Sequence, residues 1–213
     1  MSRVNRFLFV FILIALSALT ACSGIGSPTP TPTPLPQGVT AVEPPGDPAV
    51  FTLTSHEGEE FTGEDVRGKY TLFFFGFTNC PDFCPGTLVN YVQVKTLLDD
   101  KAEDVNFLLI SVDHQRDTPE TLAEYVGFFD AEFIGATGPD EMLDSTVAQF
   151  GAQYYITEAE GGAYNVEHTT SSFLLDPEGR WIRLYSYETP AAVIAADIEQ
   201  LLASSPVSEP ANS

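Results

Sequence analysis

Basic residues are scarce in this chain: nine lysines and arginines stand against thirty aspartates and glutamates in 213 residues, a formal net charge of −21. That balance excludes nucleic-acid binding, because phosphates are held by a basic surface that releases their counterions. It also excludes electrostatic docking on anionic lipid, so any membrane attachment has to be hydrophobic or covalent. Internal repeats are absent, and cysteine is limited to three residues. Long apolar runs are lacking too. The N-terminal run Phe7 to Leu19 spans thirteen residues, short of the ~20 that an α-helix needs to cross hydrocarbon. What is present is ordinary for a folded protein: 44% hydrophobic and 18% charged residues, which excludes wholesale disorder. The length predicts one domain with appendages.

Arg3 and Arg6 precede the apolar run, which ends in Leu19-Thr20-Ala21-Cys22. This is the layout of a secretory signal, and its end resembles the lipobox of bacterial lipoproteins. The resemblance implies cleavage after residue 21 and a diacylglycerol on the Cys22 thiol, giving an extracytoplasmic protein anchored to the bacterial membrane by lipid. Residues 22–48 include Pro-Thr-Pro-Thr-Pro-Thr-Pro from Pro28 to Pro34. Proline fixes φ and removes amide donors, so an extended, semi-rigid tether is expected there. The folded domain is placed at residues 49–203, followed by a frayed tail, 204–213.

Within the domain, Phe51 to Thr54 and Glu60 to Thr62 predict a small hairpin around His56-Glu57-Gly58. Tyr70 to Phe75 and Val105 to Val112 are short, nearly all apolar runs, as expected of central strands buried on both faces. A moderately amphipathic helix is expected from Pro85 to Asp100 through Leu88, Val92, Lys95, Leu97 and Leu98. Thr118-Pro119-Glu120 supplies an N-cap, a first-turn proline and an early acid for a helix to Phe129. A strand at Phe133 to Gly135 and a helix at Pro139 to Phe150 follow. Strands at Tyr154 to Ile156, Ser171 to Leu175 and Trp181 to Ser186 come next, with a turn at Asp176-Pro177-Glu178-Gly179 and a closing helix from Pro190 to Leu202. The order predicts an α/β sandwich with a mixed central sheet flanked by helices.

If Cys22 carries lipid, Cys80 and Cys84 remain, in Cys80-Pro81-Asp82-Phe83-Cys84. They fall between a predicted strand and a predicted helix, where free amide N–H groups and the helix dipole favour thiolate. Four-residue spacing brings the sulfurs near one another, for a disulfide or for a shared soft metal ion. A structural bridge across so small a loop would contribute little, since it constrains little chain entropy. Redox and metal roles both stay open. His56, in the hairpin turn, is expected to be solvated. His114, at the end of a buried strand, and His168, before another, are the other candidates for a third ligand.

Three segments together resemble the Sco/SenC family of thioredoxin-like copper chaperones. Gly76-Phe77-Thr78-Asn79-Cys80-Pro81-Asp82-Phe83-Cys84-Pro85 is similar to its metal-binding loop. Ile110-Ser111-Val112-Asp113 with Arg116-Asp117-Thr118 is similar to its second signature, and Val166-Glu167-His168 with Phe173-Leu174-Leu175-Asp176-Pro177-Glu178-Gly179 to its histidine segment. Ordinary thioredoxins carry two residues between their cysteines and lack this histidine. The resemblance implies a thioredoxin-like fold with an N-terminal hairpin and one copper ion, Cu(I) or Cu(II), held by Cys80, Cys84 and His168. It implies delivery to the CuA centre of cytochrome c oxidase, in subunit II, and a thiol reductant outside the cytoplasm. Asp113 matches an acidic position that would assist from outside the ligand set. His114 stands where the family usually has proline, which leaves it as an extra-ligand candidate. Hand-over requires ligands a partner can replace one at a time, so an exposed loop at the sheet edge is expected. Such a carrier has no turnover of its own. The alternative is a thiol–disulfide oxidoreductase that keeps the CuA cysteines reduced, and a peroxidase is a weaker third reading.

Overall fold

The computed structural model describes residues 34–204. The signal segment 1–21, Cys22 with the start of the tether, and the tail beyond Ser204 lie outside the described residues. Among the described residues no helix is long and apolar enough to cross a membrane.

Strands run in the order β1 (Val39–Ala41), β2 (Thr52–Ser55), β3 (Glu60–Thr62), β4 (Tyr70–Gly76), β5 (Val105–Ser111), β6 (Ile134–Thr137), β7 (Tyr154–Glu158), β8 (Tyr164–His168), β9 (Ser172–Leu175) and β10 (Trp181–Tyr185). The helices are α1 (Phe83–Leu98), α2 (Pro119–Phe129), α3 (Asp140–Gln149) and α4 (Ala191–Ser204). Eight strands form one sheet in the order β1-β10-β9-β4-β5-β6-β2-β3, while β7 and β8 pair only with each other. β4, β5 and β6 are parallel, and β9 joins β4 antiparallel. The sheet is therefore mixed, as expected.

β4 explains the layering. All seven of its residues are buried. Leu72 and Phe74 face one core with Leu88, Tyr91 and Val94 of α1, Leu122 of α2 and Ile194 of α4. Phe73 and Phe75 face the other, with Leu143 and Val147 of α3, Phe150 and Phe173. The Phe73 ring lies 4.8 Å from that of Phe150 and 5.2 Å from that of Phe173. Strand side chains alternate between faces, so a strand covered on both sides reads as an uninterrupted apolar run. β5 repeats the arrangement, Phe107 and Leu109 against one core, Leu108 and Ile110 against the other.

Thr118 caps α2, its hydroxyl accepting from the Thr121 N–H at 3.3 Å with Pro119 in the first turn. Three expectations are corrected. Val39–Ala41 lies within the stretch assigned to the tether, yet it pairs with β10 at the sheet edge, so the folded part begins well before residue 49. The buried face of α1 is Cys84, Thr87, Leu88, Tyr91, Val94 and Leu98; Leu97, expected to be part of it, is exposed. The helix also starts two residues earlier than expected, at Phe83. That shift places Cys84 in its first turn.

Candidate metal centre

The central strand delivers the cysteines. β4 ends at Gly76, and the chain turns through Thr78 and Cys80 before α1 begins. Gly76 is required there because a Cβ would lie 2.8 Å from Cys84 Sγ and 2.7 Å from the Phe74 ring. Asp117 fixes the turn. Its carboxylate, 1% exposed, accepts from the Thr78 N–H at 2.8 Å, the Thr78 hydroxyl at 2.6 Å and the Ser111 hydroxyl at 2.6 Å. The loop after β4 is thereby tied to the end of β5.

Both cysteines are free and buried, Cys84 completely and Cys80 at 8% exposure. The expectation of exposed ligands at a sheet edge is corrected: the sulfurs sit over the end of the central strand, in the wall of the core on the α1 side. Asp82, at the N-cap position of α1, makes no side-chain cap. The Cys84 N–H points instead at Cys80 Sγ, 3.5 Å away, so a sulfur takes the place usually filled by a capping oxygen. The Cys84 thiol donating toward Cys80, then the helix-start amides of Asp82 and Cys84, bring the Cys80 thiol down to about 4. The same contact, together with burial, pushes the Cys84 thiol well above the ordinary range. The pair thus shares one proton, with Cys80 as thiolate and Cys84 as its donor.

His168 ends β8 and is half-buried. Its Nδ1 lies 2.9 Å from the Thr169 carbonyl. A carbonyl only accepts, so Nδ1 carries the proton and Nε2 presents a lone pair. Nε2 stands 3.5 Å from Cys84 Sγ. The two sulfurs and one imidazole nitrogen all lie within 4.8 Å of one another, and they form the only such group among the described residues. Two thiolates and an imidazole are a soft donor set suited to copper in a low-coordinate site.

The other histidines are not drawn in. His114 Nδ1 lies 3.0 Å from the Asp140 carboxylate, and His114 is not part of the three-donor group. His56 is half-buried rather than solvated, its Nδ1 accepting from the Gly135 N–H at 3.1 Å. Asp113 is fully buried outside the donor set, held by Arg116 and by the Tyr164 hydroxyl at 2.6 Å. Sequence reasoning quoted Asp117 without giving it a role, and it missed Tyr164. The alternation of Tyr164, Val166 and His168 with Asn165 and Glu167 is the signal that would have placed both Tyr164 and His168 on one strand face.

Residues 45–203 match the SCO1/SenC family. The mitochondrial SCO1 homologue of Homo sapiens is 38% identical over 152 residues, covering 70% of this chain and 50% of that protein. SenC of Rhodobacter capsulatus is 34% identical over 148 residues, covering 70% of this chain and 67% of that protein. The chain therefore spans about half the length of the human relative. Among solved structures, ScoI of Arabidopsis thaliana with copper bound superposes with a TM-score of 0.69 at 30% identity, over 73% of this chain and 98% of that one. BsSco, described as a Sco-family cytochrome c oxidase assembly protein with a disulfide switch, does so with a TM-score of 0.56 at 25% identity, over 75% and 98%. The thioredoxin-like sandwich expected from the sequence is the fold these structures share. The chain belongs to the SCO1/SenC family.

Proposed function

We propose that the protein is a copper metallochaperone, which binds one copper ion through Cys80, Cys84 and His168 and delivers it to the CuA centre in subunit II of cytochrome c oxidase during assembly. The observation that carries this reading is the convergence of the three donors within 4.8 Å. Burial gives the transfer an order. Cys84 is sealed beneath the loop, whereas Cys80 and His168 are the more accessible donors, so an incoming ligand replaces these two first and Cys84 last. Reduced thiolates are needed at the outset, which requires a thiol reductant outside the cytoplasm.

The shared proton sets a pH dependence. Copper(I) binding must expel the Cys84 proton, whereas Cys80 is already a thiolate near neutrality. The bound form then holds one proton fewer from the pair, so affinity rises with pH. Between pH 7 and 8 the expected slope is about tenfold per unit. Two independent, ordinary thiols would instead give nearly hundredfold. Competition titration against a copper(I) chelator across this interval measures the slope, and a hundredfold slope would refute the shared proton.

The second reading, a thiol–disulfide oxidoreductase that keeps the CuA cysteines reduced, is favoured by one observation: Cys80 and Cys84 are free and adjacent, with Cys80 poised as a thiolate at a helix start. His168 separates the two. An imidazole adds a metal–nitrogen bond but has no obligatory part in thiolate attack on a disulfide. His168→Ala is expected to lose CuA assembly at limiting copper, with rescue by excess copper, while dithiol cycling continues. Normal assembly of the oxidase by this variant at limiting copper would favour the reductase.

The extracytoplasmic, lipid-anchored placement belongs to the same proposal. Cys22 carries the lipid, and tethering through it raises carrier concentration near a membrane-embedded oxidase. The intact mass of the mature protein is expected to show a diacylglycerol-modified N-terminal cysteine. An unmodified mass would sink the anchor.

A further inference from the structure

The histidine and the sulfurs arrive on different bodies. Cys80 and Cys84 are built onto β4 and α1, whereas His168 ends a two-stranded hairpin that pairs with no strand of the large sheet. Backbone hydrogen bonds hold this hairpin to itself, so inward side chains must hold it to the domain. On β8 these are Tyr164, Val166 and His168, each half-buried, alternating with exposed Asn165 and Glu167. Val166 packs on both cores. At the far end of the strand, roughly 13 Å from His168, the Tyr164 hydroxyl donates to Asp113 Oδ1 at 2.6 Å. Arg116 holds the other oxygen of Asp113, and its guanidinium lies 4.0 Å from the centroid of the Tyr164 ring. The same guanidinium lies 5.8 Å from the Phe77 ring, which meets the His168 imidazole perpendicularly at 5.7 Å. Both ends of β8 therefore close on a single arginine and aromatic cluster.

We propose that Tyr164 is a positioning residue for His168: its hydroxyl, received by Asp113 and covered by Arg116, latches the hairpin so that Nε2 stands at Cys84. The inference rests on the copper reading of the site. Asp113 and Arg116 then serve the donor set indirectly, by fixing the far end of the arm that carries the histidine. Tyr154, the register partner of His168, keeps its own hold on the domain by donating to Asp144 at 2.7 Å. Releasing the latch therefore loosens the placement of Nε2 against Cys84 without freeing the strand, and both sulfurs stay in place. Loss of partners that orient metal ligands typically costs ten- to a hundredfold in affinity.

Tyr164→Phe is the cleanest test, because it removes one hydroxyl and keeps the ring that stacks on Arg116; replacing buried Asp113 would risk the fold itself. In the metal-free reduced protein, amide exchange at residues 165–168 is expected to accelerate about tenfold while β4 and β5 amides keep wild-type rates. Copper affinity is expected to fall about tenfold in the wild-type background and not at all in a His168→Ala background. Equal losses in both backgrounds, or wild-type exchange and affinity, would overturn the latch. Should His168→Ala alone leave copper affinity untouched, the copper reading of His168 fails. The hairpin exchange rates then decide the latch by themselves, acceleration supporting it and wild-type rates refuting it.

Discussion

Serine in place of either Cys80 or Cys84 is expected to abolish stoichiometric copper binding and the sulfur-to-copper(II) charge-transfer band. The size follows from the donor set. Structural zinc sites with four protein ligands contribute ~10–16 kcal/mol, roughly two to three orders of magnitude in affinity per ligand, and a lost sulfur is expected to cost at least that much here. A serine hydroxyl is a hard, protonated donor at neutral pH and does not substitute. The two variants should nevertheless differ in their remaining thiol. Cys80→Ser removes the sulfur that raises Cys84, so the Cys84 thiol moves back toward ordinary values. In Cys84→Ser the hydroxyl still offers a donor beside Cys80 and the amides at the start of α1 remain, so the Cys80 thiol stays well below the ordinary range. Alkylation rate against pH, read for each variant, separates the two. Both variants retaining wild-type spectra and stoichiometry would refute the ligand assignment.

Much of this site was readable from residue order, and the unread parts have physical reasons. A seven-residue apolar strand followed by a cysteine loop and a helix defines the sulfur geometry locally, because β4, the loop and α1 are continuous in sequence. Thr118-Pro119 marked its helix start for the same reason. His168 lies 84 residues from Cys84, and no local pattern joins them; the family resemblance did. β1 escaped notice because three residues at a sheet edge carry no periodicity and sit in a proline-rich context. β8 is half polar, since only one of its faces touches the domain. The turn before it carries Gly161 and Gly162 at φ of 77° and 81°, a hairpin signal that went unused. The burial of Cys84 depends on Gly76 and on the sheet below, which composition does not report.

Asp117→Ala is expected to be the most damaging change outside the donor set, and Asp117 is where the fold and the site are most tightly joined. Its carboxylate gathers three donors from two strand ends, the Thr78 N–H, the Thr78 hydroxyl and the Ser111 hydroxyl. The hydroxyls can reorient when the acceptor goes. The Thr78 N–H cannot, because it is fixed to the backbone of a part-buried loop. One stranded donor costs ~1–3 kcal/mol, and hydrogen bonds to a charged acceptor are worth ~1.5–3 kcal/mol each. Because these terms overlap, a loss of about 3 kcal/mol is expected, or about 6–12 °C in Tm for a domain of this size. The damage should reach the sulfurs, since Cys80 follows Thr78 by two residues and nothing else among the hydrogen bonds described here anchors the Thr78 N–H. Copper affinity should therefore fall in the surviving folded protein, although no ligand has been touched. Asp117→Asn keeps one carbonyl oxygen of the same reach, which restores an acceptor for the Thr78 N–H and should recover about half of the stability. The expected order in both melting temperature and copper retention is wild type, then asparagine, then alanine. An alanine variant that melts within about 2 °C of wild type would show that the loop is held by its sulfur-capped helix start instead.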